Sequence, residues 1–188
     1  MITETNDLVR CFGDGDPLYA EYHDQEWGRE VHGDAALLER MVLEGFQSGL
    51  SWLTILRKRE GFREAFAGFD PGAVAGFDEE DVERLMGDAG IVRNRRKIEA
   101  AITNARATLA LQESGRSLDA VVWGHRPGEA RPRPQAWEDV PAQTVESAAL
   151  AKELKSLGFA FVGPTTMYAL MQACGLVDDH IAGCVAVR

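Results

Sequence analysis

Four residues at the two ends of the chain carry metal-ligating side chains. Cys11 and His23 form one pair, His180 and Cys184 the other, and the pairs stand 157 residues apart (23 to 180). Two thiolates and two imidazoles make the donor set of a closed tetrahedral zinc site. Such a site keeps no open position for water or substrate, so an ion held by all four would clip the chain ends together rather than do chemistry. Cys11 and His23 flank Gly13-Asp14-Gly15-Asp16-Pro17, a turn-forming run that folds two ligands toward each other. His180 and Cys184 are four apart and share a face if their segment is helical. The four residues read equally as small buried thiols with unrelated histidines, and spacing alone leaves both readings open.

A second feature is a carboxylate on an apolar stripe. Leu37, Met41 and Glu44 follow i, i+4, i+7 spacing and so share a helix face. Glu44 either reaches water at the helix boundary or lines a pocket, because an unpaired buried charge is costly. The run Gly45-Phe46-Gln47-Ser48-Gly49-Leu50-Ser51-Trp52 follows it, and two glycines around an aromatic and an amide suit close approach of backbone to a ligand. Tyr19, Tyr22, His23 and Trp27 form an aromatic group that serves as core or as stacking surfaces for a flat ring, a cationic ring most favourably. A third feature is Leu85-Met86-Gly87-Asp88-Ala89-Gly90-Ile91, followed by Arg93, Arg95, Arg96 and Lys97. Gly87 and Gly90 in a tight turn, with a helix N-terminus after it, present backbone N–H groups to phosphate. The pattern resembles a helix-hairpin-helix, which holds DNA backbone without reading sequence.

The elements that position these residues are helical. Apolar periodicity predicts helices over 34–46 with Asp34 as cap, over 51–67 with Ser51 as cap, and over 93–112 closed by Gly115. Asp70-Pro71 reads as cap plus first position of a short helix, and Asp78 opens another with acids in its first turn. Two more run over 144–157 and from Pro164 to Gly175. Pro127, Pro132, Pro134 and Pro141 make 125–141 a loop, and Phe159-Ala160-Phe161-Val162 is a short strand candidate. The predicted class is all-α, with residues 1–188 as a single domain.

Composition narrows the setting. The chain is 45% hydrophobic, which supports a sizeable core, and has no apolar run of membrane-spanning length. Met-Ile-Thr-Glu-Thr-Asn-Asp has neither a basic region nor an apolar signal core, and three cysteines do not make a disulfide framework, so a cytoplasmic location is expected. A net charge of -10 argues against indiscriminate nucleic-acid binding. The basic residues are nevertheless clustered at Arg57-Lys58-Arg59, at Arg93–Lys97, and at Arg126, Arg131 and Arg133.

Read together, these stretches resemble the DNA-3-methyladenine glycosylase I family. The resemblance is carried by Asp16-Pro17-Leu18-Tyr19, Tyr22-His23-Asp24-Gln25-Glu26-Trp27-Gly28, Leu43-Glu44-Gly45, Gly49-Leu50-Ser51-Trp52 and Asp88-Ala89-Gly90-Ile91. It continues through Phe159-Ala160-Phe161-Val162-Gly163, Met171-Gln172-Ala173-Cys174-Gly175-Leu176-Val177 and Asp179-His180, and spans about Cys11 to Cys184.

The resemblance implies an all-α helix-hairpin-helix fold with a structural zinc on Cys11, His23, His180 and Cys184. It places a base pocket at Glu44 and Tyr22, with Tyr19, Trp27, Trp52 and Phe46 around the base. It gives Gly49 and Leu50 the task of filling the gap left in the duplex, and Gly87, Gly90, Arg93, Arg95, Arg96 and Lys97 that of gripping DNA. The implied reaction is hydrolysis of the N-glycosidic bond of 3-methyladenine in double-stranded DNA by water, without strand cleavage, by a monomer that needs no membrane. Phe12 stands where the family carries a Trp one position further from the first Cys, and Phe46 where it carries an amide. A catalytically silent DNA-binding module with the same hairpin and zinc is the competing reading, and Glu44 is what separates the two. A zinc hydrolase is the third, and four protein ligands argue against it.

Overall fold

The structure, a computed structural model, describes residues 9–186. Residues 1–8, including the segment read above for a signal sequence, and 187–188 lie outside the described residues. Nine α-helices follow one another among the described residues, and the only β-type pairing there is an isolated parallel bridge between Val9 and Cys184. None of these helices is long and apolar enough to cross a membrane.

Central to the fold is α2 (Asp34–Gln47), which buries Leu37, Leu38, Met41, Val42, Leu43 and Phe46 together with Glu44. Around it pack α3 (Trp52–Ala65), α6 (Arg95–Glu113), α7 (Leu118–Trp123) and α9 (Pro164–Ala173). The short α4 (Pro71–Ala75) lies on α6, and α8 (Val145–Ser156) pairs with α9. One continuous apolar core runs through these elements.

Local chemistry explains the helix starts. Ser51 caps α3 by accepting from the Thr54 amide, Asp70 caps α4 with Pro71 in its first turn, and Asp78 and Asp81 form a reciprocal capping box on α5 (Glu79–Gly87). Asn94 caps α6, so that helix starts two residues later than its periodicity suggested.

Four expectations need correction. Gly33, not Asp34, precedes α2; the Asp34 carboxylate accepts from the Asp119 backbone amide at 2.9 Å, so a tertiary contact has replaced local capping. Residues 159–162 form no strand, because the Asn104 side chain takes both backbone groups of Ala160 and leaves none for pairing. The helix over 51–67 stops at Ala65 and gives way to a single 3-10 turn, Ala67–Phe69. Two helices were not predicted: α1 (Pro17–Gln25) and α7, capped by Asp16 and Ser117 respectively.

The hairpin between α5 and α6 is seated on α3. At Gly61 a Cβ would lie 2.6 Å from the Gly90 carbonyl oxygen, so only glycine allows the turn to sit there. The neighbouring Lys58 ammonium donates to the Ala89 carbonyl at 2.6 Å. Gly61→Ala must push the turn off α3, and overpacking of this kind costs about 1–3 kcal/mol. A lowered urea midpoint at unchanged slope is the expected result; an unchanged midpoint would show that the turn is not held by this contact.

Candidate active site

Glu44 lies on the buried face of α2 and lines a cavity of about 290 Å³. Tyr19 and Tyr22 of α1 and Trp27 after it form one wall. Trp52, at the start of α3, faces Tyr22 at 5.4 Å between ring centroids. Phe12 completes that side, 4.9 Å from the Tyr19 ring and edge-on to Trp27 at 5.1 Å. The amides of Gln47 and Gln172 add polar lining. A cavity with aromatic walls and a few polar groups is the arrangement that binds a flat, polar heterocycle.

The electrostatics are unusual. Glu44 is only 6% exposed, and no side-chain hydrogen bond reaches its carboxylate among the described residues. Burial pushes its pKa from 4.5 up to about 8, and Arg40, one helical turn earlier, pulls against that rise. Burial, followed by the charge of Glu44, raises the Tyr19 and Tyr22 hydroxyls, which stay protonated as donors. The Trp52 indole N–H is buried without a partner, a second polar group left unsatisfied at the cavity. Unpaired buried groups in a cleft mark a binding site better than a structural one.

The remaining predicted residues distribute unevenly. Phe46 does not line the cavity. It is fully buried in the core, 4.7 Å from the Phe62 ring, because position 46 falls on the face of α2 that meets α3, away from Glu44. Leu50 follows Gly49, whose φ of +83° turns the chain, and Leu50 is exposed on the surface at 39%.

Of the four basic residues after the hairpin, Arg93 and Arg96 are exposed. Arg95 is held by Glu79, at 2.7 Å, and by Glu83. The Lys97 ammonium donates to the Phe46 and Ser48 carbonyls at 2.8 and 2.7 Å, so it braces the C-terminal end of α2 rather than facing outward. Trp137 also lines the cavity and was missed; the signal was a lone Trp in the Pro-rich segment.

The chain ends meet beside this cavity. Val185 N–H donates to the Val9 carbonyl at 2.9 Å. One ligand atom from each of Cys11, His23 and Cys184 lies within 4.8 Å of the other two. The separation of Cys184 Sγ from His23 Nε2 is 3.3 Å, close to the roughly 3.5 Å edge of a tetrahedron with bonds of about 2.0–2.3 Å. His180 is not in that tight group, and 180–184 is a turn rather than a helix. Its ring stands edge-on to His23 at 5.4 Å, with Nε2 buried and unpartnered.

Each imidazole has a carboxylate on Nδ1 at 2.8 Å: Asp24 for His23 and Asp178 for His180. That places the proton on Nδ1 and leaves Nε2 as the donor atom to a cation. Gly28, with a φ of +77°, makes room for the His180 ring; a Cβ there would lie 2.7 Å from Cε1. Burial, with Cys184 adding to it, pushes the Cys11 thiol up to about 12, a cost that a bound cation would remove. Cys11, His23 and Cys184 therefore fit a bound cation, and the unpartnered Nε2 of His180 stands beside them as a candidate fourth ligand outside the tight group.

Comparison with known proteins gives consistent matches. Residues 12–187 match the family model described as methyladenine glycosylase. The chain is 49% identical over 172 residues to DNA-3-methyladenine glycosylase 1 of Escherichia coli (strain K12), covering 90% of this chain and 91% of that protein. A crystal structure of 3-methyladenine DNA glycosylase I superposes with a TM-score of 0.91 at 49% identity, covering 94% of this chain and 98% of the other. A variant of such an enzyme solved in complex with 3-methyladenine superposes at 0.88, with 35% identity and 94% and 95% coverage.

The raised pKa of Glu44 has a measurable effect on stability. Between pH 4.5 and about 8 the folded chain holds a proton on Glu44 that the unfolded chain has lost, so stability falls as pH rises through that window. The rise from 4.5 to about 8 corresponds to roughly 4–5 kcal/mol at about 1.4 kcal/mol per pH unit. Glu44→Gln keeps the shape and removes the titration. We expect its melting temperature to match the wild type near pH 4.5 and to exceed it most at pH 8 and above; parallel melting curves across that range would mean Glu44 is well solvated.

Proposed function

The chain belongs to the methyladenine glycosylase family, and on that premise we propose that it releases 3-methyladenine from alkylated double-stranded DNA, with Glu44 as the residue that selects the base. The observation that carries this reading is a largely buried glutamate on the wall of an aromatic cavity, its carboxylate taking no hydrogen bond from the protein among the described residues. A silent DNA-binding module has no use for that arrangement, which costs stability.

The chemistry follows from the charge on the substrate. Methylation at ring nitrogen 3 makes the base cationic while it is attached to the sugar. Cleavage of the glycosidic bond returns the bonding electrons to the ring, so the base leaves neutral and needs no proton from the protein. The base must first leave the helical stack. Leu50, on its turn after α2, fills the space left behind. The flipped ring stacks among Phe12, Tyr22, Trp27 and Trp52, whose faces favour a cation.

Glu44 accepts hydrogen bonds from the ring, and its charge favours the cationic over the unmethylated base. Tyr22 contributes a polar contact. Water attacks the sugar carbon. The backbone N–H groups around Asp88–Gly90, with Arg93 and Arg96, hold the phosphates. One chain suffices for all of this, and a cytoplasmic location suits the reading.

Cys11, His23, His180 and Cys184 hold a zinc ion in the same reading. With four protein ligands a zinc ion there would have a structural and not a catalytic part, and Cys11 and Cys184 would be tied through it to His23 on α1, which also carries Tyr19 and Tyr22.

Two measurements test the reading. Incubation of methylated DNA with the enzyme releases 3-methyladenine, and Glu44→Gln lowers kcat/KM for that release by about 100-fold or more; wild-type release by the variant would remove Glu44 from the mechanism. Cys184→Ser loses stoichiometric zinc and melts at lower temperature, while turnover per folded molecule changes little. Loss of turnover with zinc and melting unchanged would refute the structural role.

A further inference from the structure

One helical turn before Glu44, outside the cavity lining, lies an ionic cluster that the reaction as described does not use. Glu26, just past the end of α1, accepts from Arg40 Nη2 at 2.9 Å and from both terminal nitrogens of Arg59 on α3, at 2.6 and 2.9 Å. Both arginine side chains are largely buried, 12% exposed for Arg40 and 13% for Arg59. The other terminal nitrogen of Arg40, Nη1, is buried with no hydrogen-bond partner.

Two buried guanidinium groups on one carboxylate leave a positive charge unbalanced. Arg59 already binds Glu26 through two nitrogens, so Arg40 is not required to neutralise Glu26. Arg40 and Glu44 are four residues apart on α2 and share a helix face. The cluster is neutral only when Glu44 is ionised.

We propose that Arg40 is a positioning residue for the reaction: anchored by Glu26, its guanidinium favours the ionised form of the Glu44 side chain that a cationic base needs. This inference rests on the role given to Glu44 above. The other titratable groups around Glu44 are Tyr19 and Tyr22 from α1 and Cys174 at the end of α9. Burial raises all three, Cys174 to about 12, so each is neutral at pH 7 and none supplies a compensating cation. Arg40 supplies it, since burial pushes Glu44 up to about 8 and Arg40 pulls it back. An opposite charge at such range moves a carboxyl's titration by about one to three pH units. Arg40 is not among the residues that line the cavity.

The test compares Arg40→Met, which removes the charge, with Arg40→Lys, which keeps it. The readout is kcat/KM for release of 3-methyladenine from methylated DNA between pH 6 and 10, because its acid limb reports the free enzyme. Arg40→Met moves that limb upward by about one pH unit or more and cuts kcat/KM at pH 7 about tenfold or more. Its kcat at saturating DNA changes less, because the bound cation itself then holds Glu44 ionised. Arg40→Lys restores most of the loss. Arg40→Gln, which retains a hydrogen-bond donor toward Glu26, replaces Arg40→Met if the latter does not fold.

A neutral variant with the wild-type acid limb overturns the inference, as does an equal loss in Met and Lys variants at every pH. Glu44→Gln is run alongside. If that variant keeps full activity, the role given to Glu44 is what has failed; if it is inactive while the neutral Arg40 variant keeps the wild-type limb, only the role of Arg40 has.

Discussion

Removing a carboxylate from water costs several kcal/mol unless hydrogen bonds or an opposite charge replace the lost solvation. Glu44 has no hydrogen bond from the protein among the described residues, and Arg40 makes no direct ion pair with it. The apolar packing of α2 against α3, α6, α7 and α9 supplies the rigidity that holds it there. A looser helix would let the side chain turn to water. The cavity therefore suits a cationic, hydrogen-bond-donating partner. In the proposed reading, selectivity for the methylated base rests on its positive charge.

The second constraint is that α1 supplies much of the cavity wall yet lies at the edge of the core. Tyr22 and Trp27 pack in a small apolar group of their own, with Leu56 and Ala173, separate from the main core. Such a satellite has little burial to fix it. The meeting of the chain ends compensates: the Val9–Cys184 bridge, the Cys11–His23–Cys184 group and the Arg10–Asp24 ion pair at 2.9 Å all bear on α1. Asp24 serves twice, since it also takes the His23 Nδ1 proton at 2.8 Å. The candidate cation ligand His23 and the cavity-lining Tyr22 are thus neighbours on one turn of α1.

Much of this was legible in the sequence because it depends on local rules. Glu44 breaks an apolar stripe, and that break is visible without coordinates. The caps Ser51, Asp70 and Asp78 work as their residue types require. What was not legible depends on tertiary contact. Asp34 is a good cap by type, but Asp119, 85 residues away, claims its carboxylate. The run 159–162 has strand-forming residues, but Asn104 on α6 takes the backbone groups a strand would need. Phe46 sits two residues from Glu44, and periodicity already separates such positions by about 200°, so its assignment to the cavity came from adjacency where helical geometry argued otherwise. The start of α1 repeats the Asp-Pro signature that identified α4, and was legible at Asp16-Pro17.

The distribution of charge bears on how an acidic chain holds a polyanion. With a net charge of -10, long-range attraction to DNA is weak, so contact must be local. Two of the four basic residues after the hairpin are engaged internally, Arg95 by acids of α5 and Lys97 by carbonyls at the end of α2. Lys97 thereby ties the first turn of α6 to the turn that carries Leu50. The hairpin is held separately, by the Lys58 ammonium on the Ala89 carbonyl. Backbone N–H groups suit a hold on phosphate better than long side chains do, since they are immobile before binding and lose little entropy on contact. In the proposed reading the hairpin would therefore hold DNA through a rigid backbone turn, seated on α3 at Gly61, more than through long-range charge.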